Sequence, residues 1–298
     1  MDRIQEEKKI SIDVNCLGDS LTYSYGGNGI TYPGTLQALL GREYQVNNLG
    51  IGGENTVTIA GRQGSIPMLV KAVTIPAETA IVEIAFLENR GEVPKPLRQG
   101  EAGINPCYLK GIKGELSITQ STTVSEDARW YFTREKEGEP VKIGEGEVLV
   151  TSASLSKRKG IVILWTGTND RLAPPAEEAA KVLAEKQKLM IDYIEETDKK
   201  YIVLGLTHLT TMDSRETDSL NRELEGIYGD HFLDIRRKLL QSGLKAFHRE
   251  ETAQDSLDIS QGNVPGSLRV DDVHLNSSGY MFIGQQVFQK GVELGYWK

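Results

Sequence analysis

Four short polar motifs in this 298-residue chain hold residue types that together suit acyl transfer. They are Gly18-Asp19-Ser20-Leu21, Gly50-Ile51-Gly52-Gly53, Gly167-Thr168-Asn169-Asp170 and Asp271-Asp272-Val273-His274. A serine hydroxyl is a poor nucleophile until a base stands within hydrogen-bond reach. An imidazole can take that proton and later return it to a leaving group. A carboxylate can fix the tautomer of the imidazole, and N–H donors can meet a developing oxyanion. Each motif alone is weak, because Gly-Asp-Ser and Gly-Thr-Asn-Asp also arise as turns with a helix cap. Their combined order carries more weight. Each falls where an apolar strand ends or beside the last helix, and open α/β sheets gather ligands at the carboxyl ends of their strands.

The elements that must position them read as follows. An apolar run over 10–17 ends at the first motif. TYPGTLQALLG reads as a helix, with Pro33 in its first turn and Gly41 at its end. A short strand over 44–48 leads into the second motif. Residues 65–155 change character: β-branched and alternating pieces are separated by Gly, Pro and Asn clusters, which reads as a β-rich insert. From Lys159 the alternation of strand and helix returns. GIVILWTGTND and YIVLGLTHL read as buried strands, 176–199 as an amphipathic helix, 215–228 as another, HFLDI as a short strand, and 277–294 as the last helix. Buried strands alternating with helices imply a parallel sheet covered on both faces. The expected organisation is an α/β core over 1–64 and 156–298, interrupted by the insert over 65–155.

On these motifs the chain resembles the SGNH, or GDSL-type, hydrolase superfamily, which is named for a Ser, Gly, Asn and His held in four blocks. The resemblance implies a flavodoxin-like three-layer α/β/α fold, here with an inserted β-rich domain. It implies Ser20 as nucleophile, with Asp271 and His274 completing the catalytic set. The oxyanion hole would be formed by the Ser20 and Gly53 N–H groups and the Asn169 side-chain amide. The second-block glycine corresponds best to Gly53, with Gly50 as the alternative register. Family spacing favours Asp271 over Asp272. The implied activity is a carboxylic ester hydrolase working through an acyl-serine intermediate. Removal of O-acetyl groups from carbohydrate is the first substrate expectation. A lipase or acyl-thioesterase, a sugar acyltransferase, and a carbohydrate-binding or assembly protein with a vestigial site remain as alternatives.

Tyr23, Tyr25 and Tyr32 follow Ser20 closely and suit a substrate pocket or core packing equally. Trp130, Tyr131 and Phe132 are adjacent on one strand and cannot all face one side, so they read as mixed core and surface. His208, His231 and His248 lack metal-ligand spacing, so no metal is expected. No Walker loop and no Gly-x-Gly-x-x-Gly opening a helix is present, so no cofactor is implied. Hydrophobic residues at 39% and charged residues at 26% suit a globular chain with a core. A net charge of −8 argues against nucleic acid or an anionic membrane as the main partner. A small-molecule or carbohydrate ester is the expected partner, and self-association through the insert is one of its open roles. Cys16 and Cys107 read as structural thiols. The charged start, MDRIQEEKKI, has no apolar segment of signal type. The expected location is cytoplasmic as the chain stands, or secreted if a signal was removed.

Overall fold

The runs at 14–18 and 161–165 are buried on both faces, and they form the centre of one parallel sheet. The structure, a computed structural model, describes residues 11–97, 102–119 and 128–298. The readings that fall on 1–10, 98–101 and 120–127, the charged start among them, lie outside the described residues.

The chain enters through β1 (Ile12–Gly18), continues as α1 (Ser20–Tyr23) and α2 (Tyr32–Leu40), and returns as β2 (Tyr44–Gly50) before α3 (Thr56–Gln63). Short strands follow: β3 (Met68–Val70), β4 (Val73–Ile75), β5 (Ile81–Ile84), β6 (Cys107–Leu109), β7 (Ile112–Ile118), β8 (Trp130–Arg134), β9 (Val141–Ile143) and β10 (Glu147–Val150). Then come α4 (Ser152–Ser156), β11 (Ile161–Trp165), α5 (Ala176–Asp192), β12 (Tyr201–Leu204), α6 (Ser214–Tyr228) and β13 (Phe232–Leu233). The chain closes with α7 (Ile235–Lys238), α8 (Ala253–Ser260) and α9 (Ser277–Glu293).

Among the described residues, β13-β12-β11-β1-β2 form a five-stranded sheet, and every pair in it is parallel. Its two faces follow from the period of two along each strand. Ile161, Ile163 and Trp165 of β11 join a core with Tyr32 and Leu36 of α2 and Tyr280 and Ile283 of α9. Val162 and Leu164 join the opposite core, with Val57 of α3, Leu183 of α5 and Leu220 of α6. This gives helix, sheet and helix layers. The sheet order reverses between β1 and β11, where crossovers leave in opposite directions. Such a switch point opens a crevice at the carboxyl ends of the strands.

Residues 68–150 form a second, antiparallel sheet of order β3-β10-β6-β7-β8-β5, with β4 and β9 paired apart. Its core includes Phe86, Leu97 and Phe132, and also Ile51 from the loop after β2. The second sheet is therefore packed against the loop that carries Gly52 and Gly53. Along β8, Phe132 is buried while Trp130 and Tyr131 are half-buried, and the Trp130 indole donates to the Pro96 carbonyl. Cys16 and Cys107 are buried free thiols, and burial pushes each up to about 12.

Several boundaries depart from the sequence reading. The helix expected over 176–199 ends at Asp192. There the chain turns so that the Glu195 N–H reaches the Arg158 carbonyl and the Glu196 carboxylate accepts from Gly160 N–H. β2 runs two residues further than expected, to Gly50. β13 holds only Phe232 and Leu233. α4 is helical within the 65–155 segment. α3 has no counterpart in the sequence reading. All eight of its residues are buried, and eight residues fall short of the window over which a helical period can be read.

Candidate active site

Two of the four motifs lie at the switch point. Gly18 ends β1 opposite Trp165 of β11, so Asp19-Ser20 and Gly167-Asn169 leave the sheet side by side. A Cβ on Gly18 would fall on the Thr22 hydroxyl and the Trp165 carbonyl, so a larger residue does not fit where the strand becomes helix. Asp19 caps α1 by accepting from Leu21 N–H at 2.9 Å. Ser20 is thereby the first residue of α1 and not its cap, which leaves its hydroxyl unused by the helix. Its backbone N–H is one of the first-turn donors that a helix cannot satisfy internally.

Gly50 pairs with Gly18 across β1 and β2. A Cβ there would fall on the backbone of Thr22 and Tyr23, so Gly50 lets β2 lie against α1. This assigns Gly50 a packing role. Gly53, at φ +82, faces a cavity that Asn169 also lines. A Cβ on Gly52 would stand 3.7 Å from Ser20 Cβ, so the Gly52-Gly53 turn passes beside the serine. Gly50→Ala is expected to push α1 away from β2. Overpacking of this kind costs about 1–3 kcal/mol. Urea denaturation should show the loss, and an unchanged midpoint would contradict the packing role.

His274 arrives from the loop before α9 and places Nε2 2.9 Å from Ser20 Oγ. Its Nδ1 lies 2.9 Å from Asp271 Oδ2 and 3.1 Å from Oδ1. An ionised carboxylate only accepts, so Nδ1 carries the proton and Nε2 presents its lone pair to the serine. Asp271 Oδ1 also accepts from the N–H groups of Val273 and His274, at 2.8 and 2.7 Å. Partial burial opposes its charge, but those N–H groups and the imidazole outweigh it and hold the carboxyl below the usual range. Asp272 turns away to Arg269, at 2.6 Å. Arg269 also donates to the Val264 carbonyl and to Asp258, which fastens the loop that carries the pair.

The Asn169 amide donates to the Glu54 carbonyl at 3.0 Å and lies 3.4 Å from Asp19 Oδ2. Asp170 ties the third motif to the start of α3, accepting from the Thr56 N–H and hydroxyl. Beneath these, the fully buried Arg62 pairs with Glu54 at 2.9 Å and donates to the carbonyls of Gly18 and Ala102. It links the end of β1 to the second sheet's segment. The sequence reading missed Glu54, Arg62 and Arg269. The position of Glu54 directly after Gly53 was the one available signal.

The three tyrosines separate. Tyr25 meets the His274 ring edge-on, with centroids 4.8 Å apart, and Tyr23 is largely exposed. Tyr32 takes the core alternative and not the pocket: it is fully buried against Trp165. Its place at the start of α2 turns the ring under the sheet. His208 is half-buried and shares a small cavity with Asp272 and Arg269, and His231 stacks on Tyr201. Among the described residues no His, Cys, Asp and Glu cluster could hold a metal. No helix there is long and apolar enough to cross a membrane.

Asp19 is fully buried, and burial raises its carboxyl to about 7, with Asp170 and Glu54 adding to the rise. The folded chain therefore holds this proton more tightly than the unfolded chain, whose value is near 3.8. Its contribution to stability is largest below about pH 4 and declines as pH rises towards 7. The stability of wild type relative to Asp19→Asn should thus fall between pH 4 and 7 in urea titrations. A flat difference would rule out this proton linkage.

No family model matches the chain, and no curated protein matches it. Among solved structures it is similar to a protein of Desulfitobacterium hafniense DCB-2 described as a lipolytic protein of the G-D-S-L family. The identity is 12% and the TM-score 0.48, over 94% of this chain and 99% of that one. It is also similar to a gut microbial diltiazem-metabolizing enzyme, at 11% identity and TM-score 0.45, over 95% of this chain. The chain spans about half of that enzyme, 47% of its length.

Proposed function

We propose that the chain is a serine esterase of the SGNH kind that hydrolyses short acyl esters, O-acetyl groups on carbohydrate being the first candidates. The observation that carries this reading is the relay from Asp271 through His274 to Ser20, with contacts of 2.9 Å on both sides of the imidazole. Ser20 Oγ attacks the ester carbonyl carbon while His274 Nε2 takes the hydroxyl proton. Collapse of the tetrahedral intermediate breaks the carbonyl–alkoxy bond, and the same proton passes to the departing alcohol. Water then attacks the acyl-serine with His274 as base, releasing the acid and restoring Ser20. Asp271 holds the tautomer and stabilises the imidazolium. The N–H groups of Ser20 and Gly53 and the Asn169 amide serve as the oxyanion donors. The domain division that goes with this reading is an α/β core of flavodoxin-like type over 1–64 and 156–298, with 65–155 as the insert.

The test has two parts. A fluorophosphonate should add to Ser20, read by mass on the peptide that contains it. Rates on 4-nitrophenyl acetate should exceed those on longer 4-nitrophenyl esters. Absence of labelling sinks the serine mechanism. A preference for long chains replaces the acetylesterase with a lipase or thioesterase. Asn169→Ala is expected to lower kcat by about 10²–10³. A loss confined to KM would place Asn169 in ground-state binding instead.

A further inference from the structure

Beside Gly53 and Asn169 the protein holds a cavity of about 610 Å³. One wall comes from the 92–97 segment of the insert, and another from Arg171 and Lys186. Its charges do not cancel locally. Glu54 is paired with the buried Arg62. Asp170 gives one oxygen to Thr56 and the other to Lys186, at 3.2 Å. Glu92 gives one oxygen to Asn55 and the other to Lys186, at 2.7 Å. Every acid that lines the cavity thus has internal partners on its carboxylate. The Lys95 ammonium and the Arg171 guanidinium pair with no carboxylate among the described residues, yet both line the space. Lys186 is shared by two carboxylates, so Glu54, Glu92 and Asp170 stand against Arg62, Lys186, Lys95 and Arg171, and the cavity carries one net positive charge in a chain of net charge −8. Val93, Leu97 and Leu172 supply apolar wall to the same cavity, Leu97 beside Gly53.

We propose that this cavity is a subsite for a compact anion carried by the ester substrate, such as a carboxylate a few carbons from the scissile bond, bound by Lys95 and Arg171. The proposal rests on the esterase reading for its position beside the reacting carbonyl. Charge-assisted hydrogen bonds are the strong ones, and a guanidinium matches a carboxylate in two-point geometry. The apolar wall suits the short aliphatic link between that anion and the ester. The anion could enter on the acyl side or on the alcohol side. The chemistry of recognition is the same for both.

The experiment compares kcat/KM for anionic and neutral esters in two arms. The acyl arm sets mono(4-nitrophenyl) succinate against 4-nitrophenyl butyrate. The alcohol arm sets 4-acetoxybenzoate against its methyl ester. Wild type and the Lys95→Gln/Arg171→Gln double variant are run together with Ser20→Ala. In the arm that matches the substrate, the anionic-to-neutral ratio should fall about tenfold or more in the double variant. Which arm responds tells on which side the anion sits. A ratio unchanged in both arms, with Ser20→Ala inactive, overturns the anion subsite and leaves the esterase standing. If wild type and Ser20→Ala hydrolyse all four esters alike, the esterase reading is what fails. Calorimetric titration with succinate then judges the subsite alone: binding weakened tenfold in the double variant supports it, and equal or absent binding overturns it.

Discussion

Ser20→Ala is expected to lower kcat on 4-nitrophenyl acetate by at least about 10⁵-fold, since members of a serine relay act as a unit and losing one costs nearly as much as losing all. The structure specifies why the loss should be chemical. Asp19, not Ser20, caps α1, and Ser20 Oγ is in contact with His274 Nε2. Removing one half-buried oxygen should leave folding stability within about 0.5 kcal/mol. A residual rate above that of water would come from the oxyanion donors alone. The discriminating result is therefore a pair of measurements, kcat and the denaturation midpoint, on the same preparation. Activity that survives the substitution would move the nucleophile elsewhere. Activity lost together with stability would make Ser20 a structural residue.

Much of this candidate site was legible because its residues lie in local runs at the ends of strands or just before the last helix. Ser20 and His274 are 254 residues apart in sequence, yet each sits in a motif whose position follows from the strand or helix next to it. The unbroken apolar run of β11, buried along its whole length, likewise pointed to a parallel sheet covered on both faces before any contact was known. What escaped the sequence depends on what covers what. α3 carries Arg62 and Gln63, which by residue type belong on a solvent face. Both are buried because the second sheet's segment closes over the helix: the Thr151 hydroxyl donates to the Arg62 carbonyl, and Arg62 donates to the Ala102 carbonyl. Gln63 reaches the Met190 carbonyl across to α5. Eight residues are too few for a helical period to be read, and the burial of Arg62 depends on what covers it, so both the helix and its ion pair were hidden. Tyr32 escaped for a related reason. Nearness to Ser20 in sequence suggested the pocket, but the Gly-rich turn between them reverses the chain and delivers the ring to the core beneath Trp165.

The same covering relation links the two sheets to function. Ile51 packs in the second sheet's core while its neighbours Gly52 and Gly53 turn past Ser20. Leu97, of the same core, would stand 3.1 Å from a Cβ on Gly53. The Gly52-Gly53 loop, proposed to supply an oxyanion donor, is thus held from behind by residues of 65–155, and the same segment brings Lys95 into the cavity. Breaking the Arg62–Glu54 pair from one side would leave a buried charge alone, at a cost of about 3–5 kcal/mol. Loosening of the Gly53 turn should accompany that cost.

Asp271→Asn is expected to lower kcat by about 10⁴-fold while the loop keeps its shape. The direction follows from hydrogen-bond bookkeeping at one atom. Asp271 Oδ1 accepts the backbone N–H groups of Val273 and His274. In the asparagine variant only the amide oxygen can take that place, so the amide nitrogen must face His274 Nδ1. A donor there forces Nδ1 to be the acceptor and moves the ring proton to Nε2. The imidazole then donates to Ser20 Oγ and can no longer accept its proton. Asp272→Asn makes the matched control: its side chain is 82% exposed and bound to Arg269, so the tautomer is untouched. Measured side by side on 4-nitrophenyl acetate, the two variants should differ by orders of magnitude. Equal rates would remove Asp271 from the relay, because an acidic loop acting only through its charge would lose as much from either substitution.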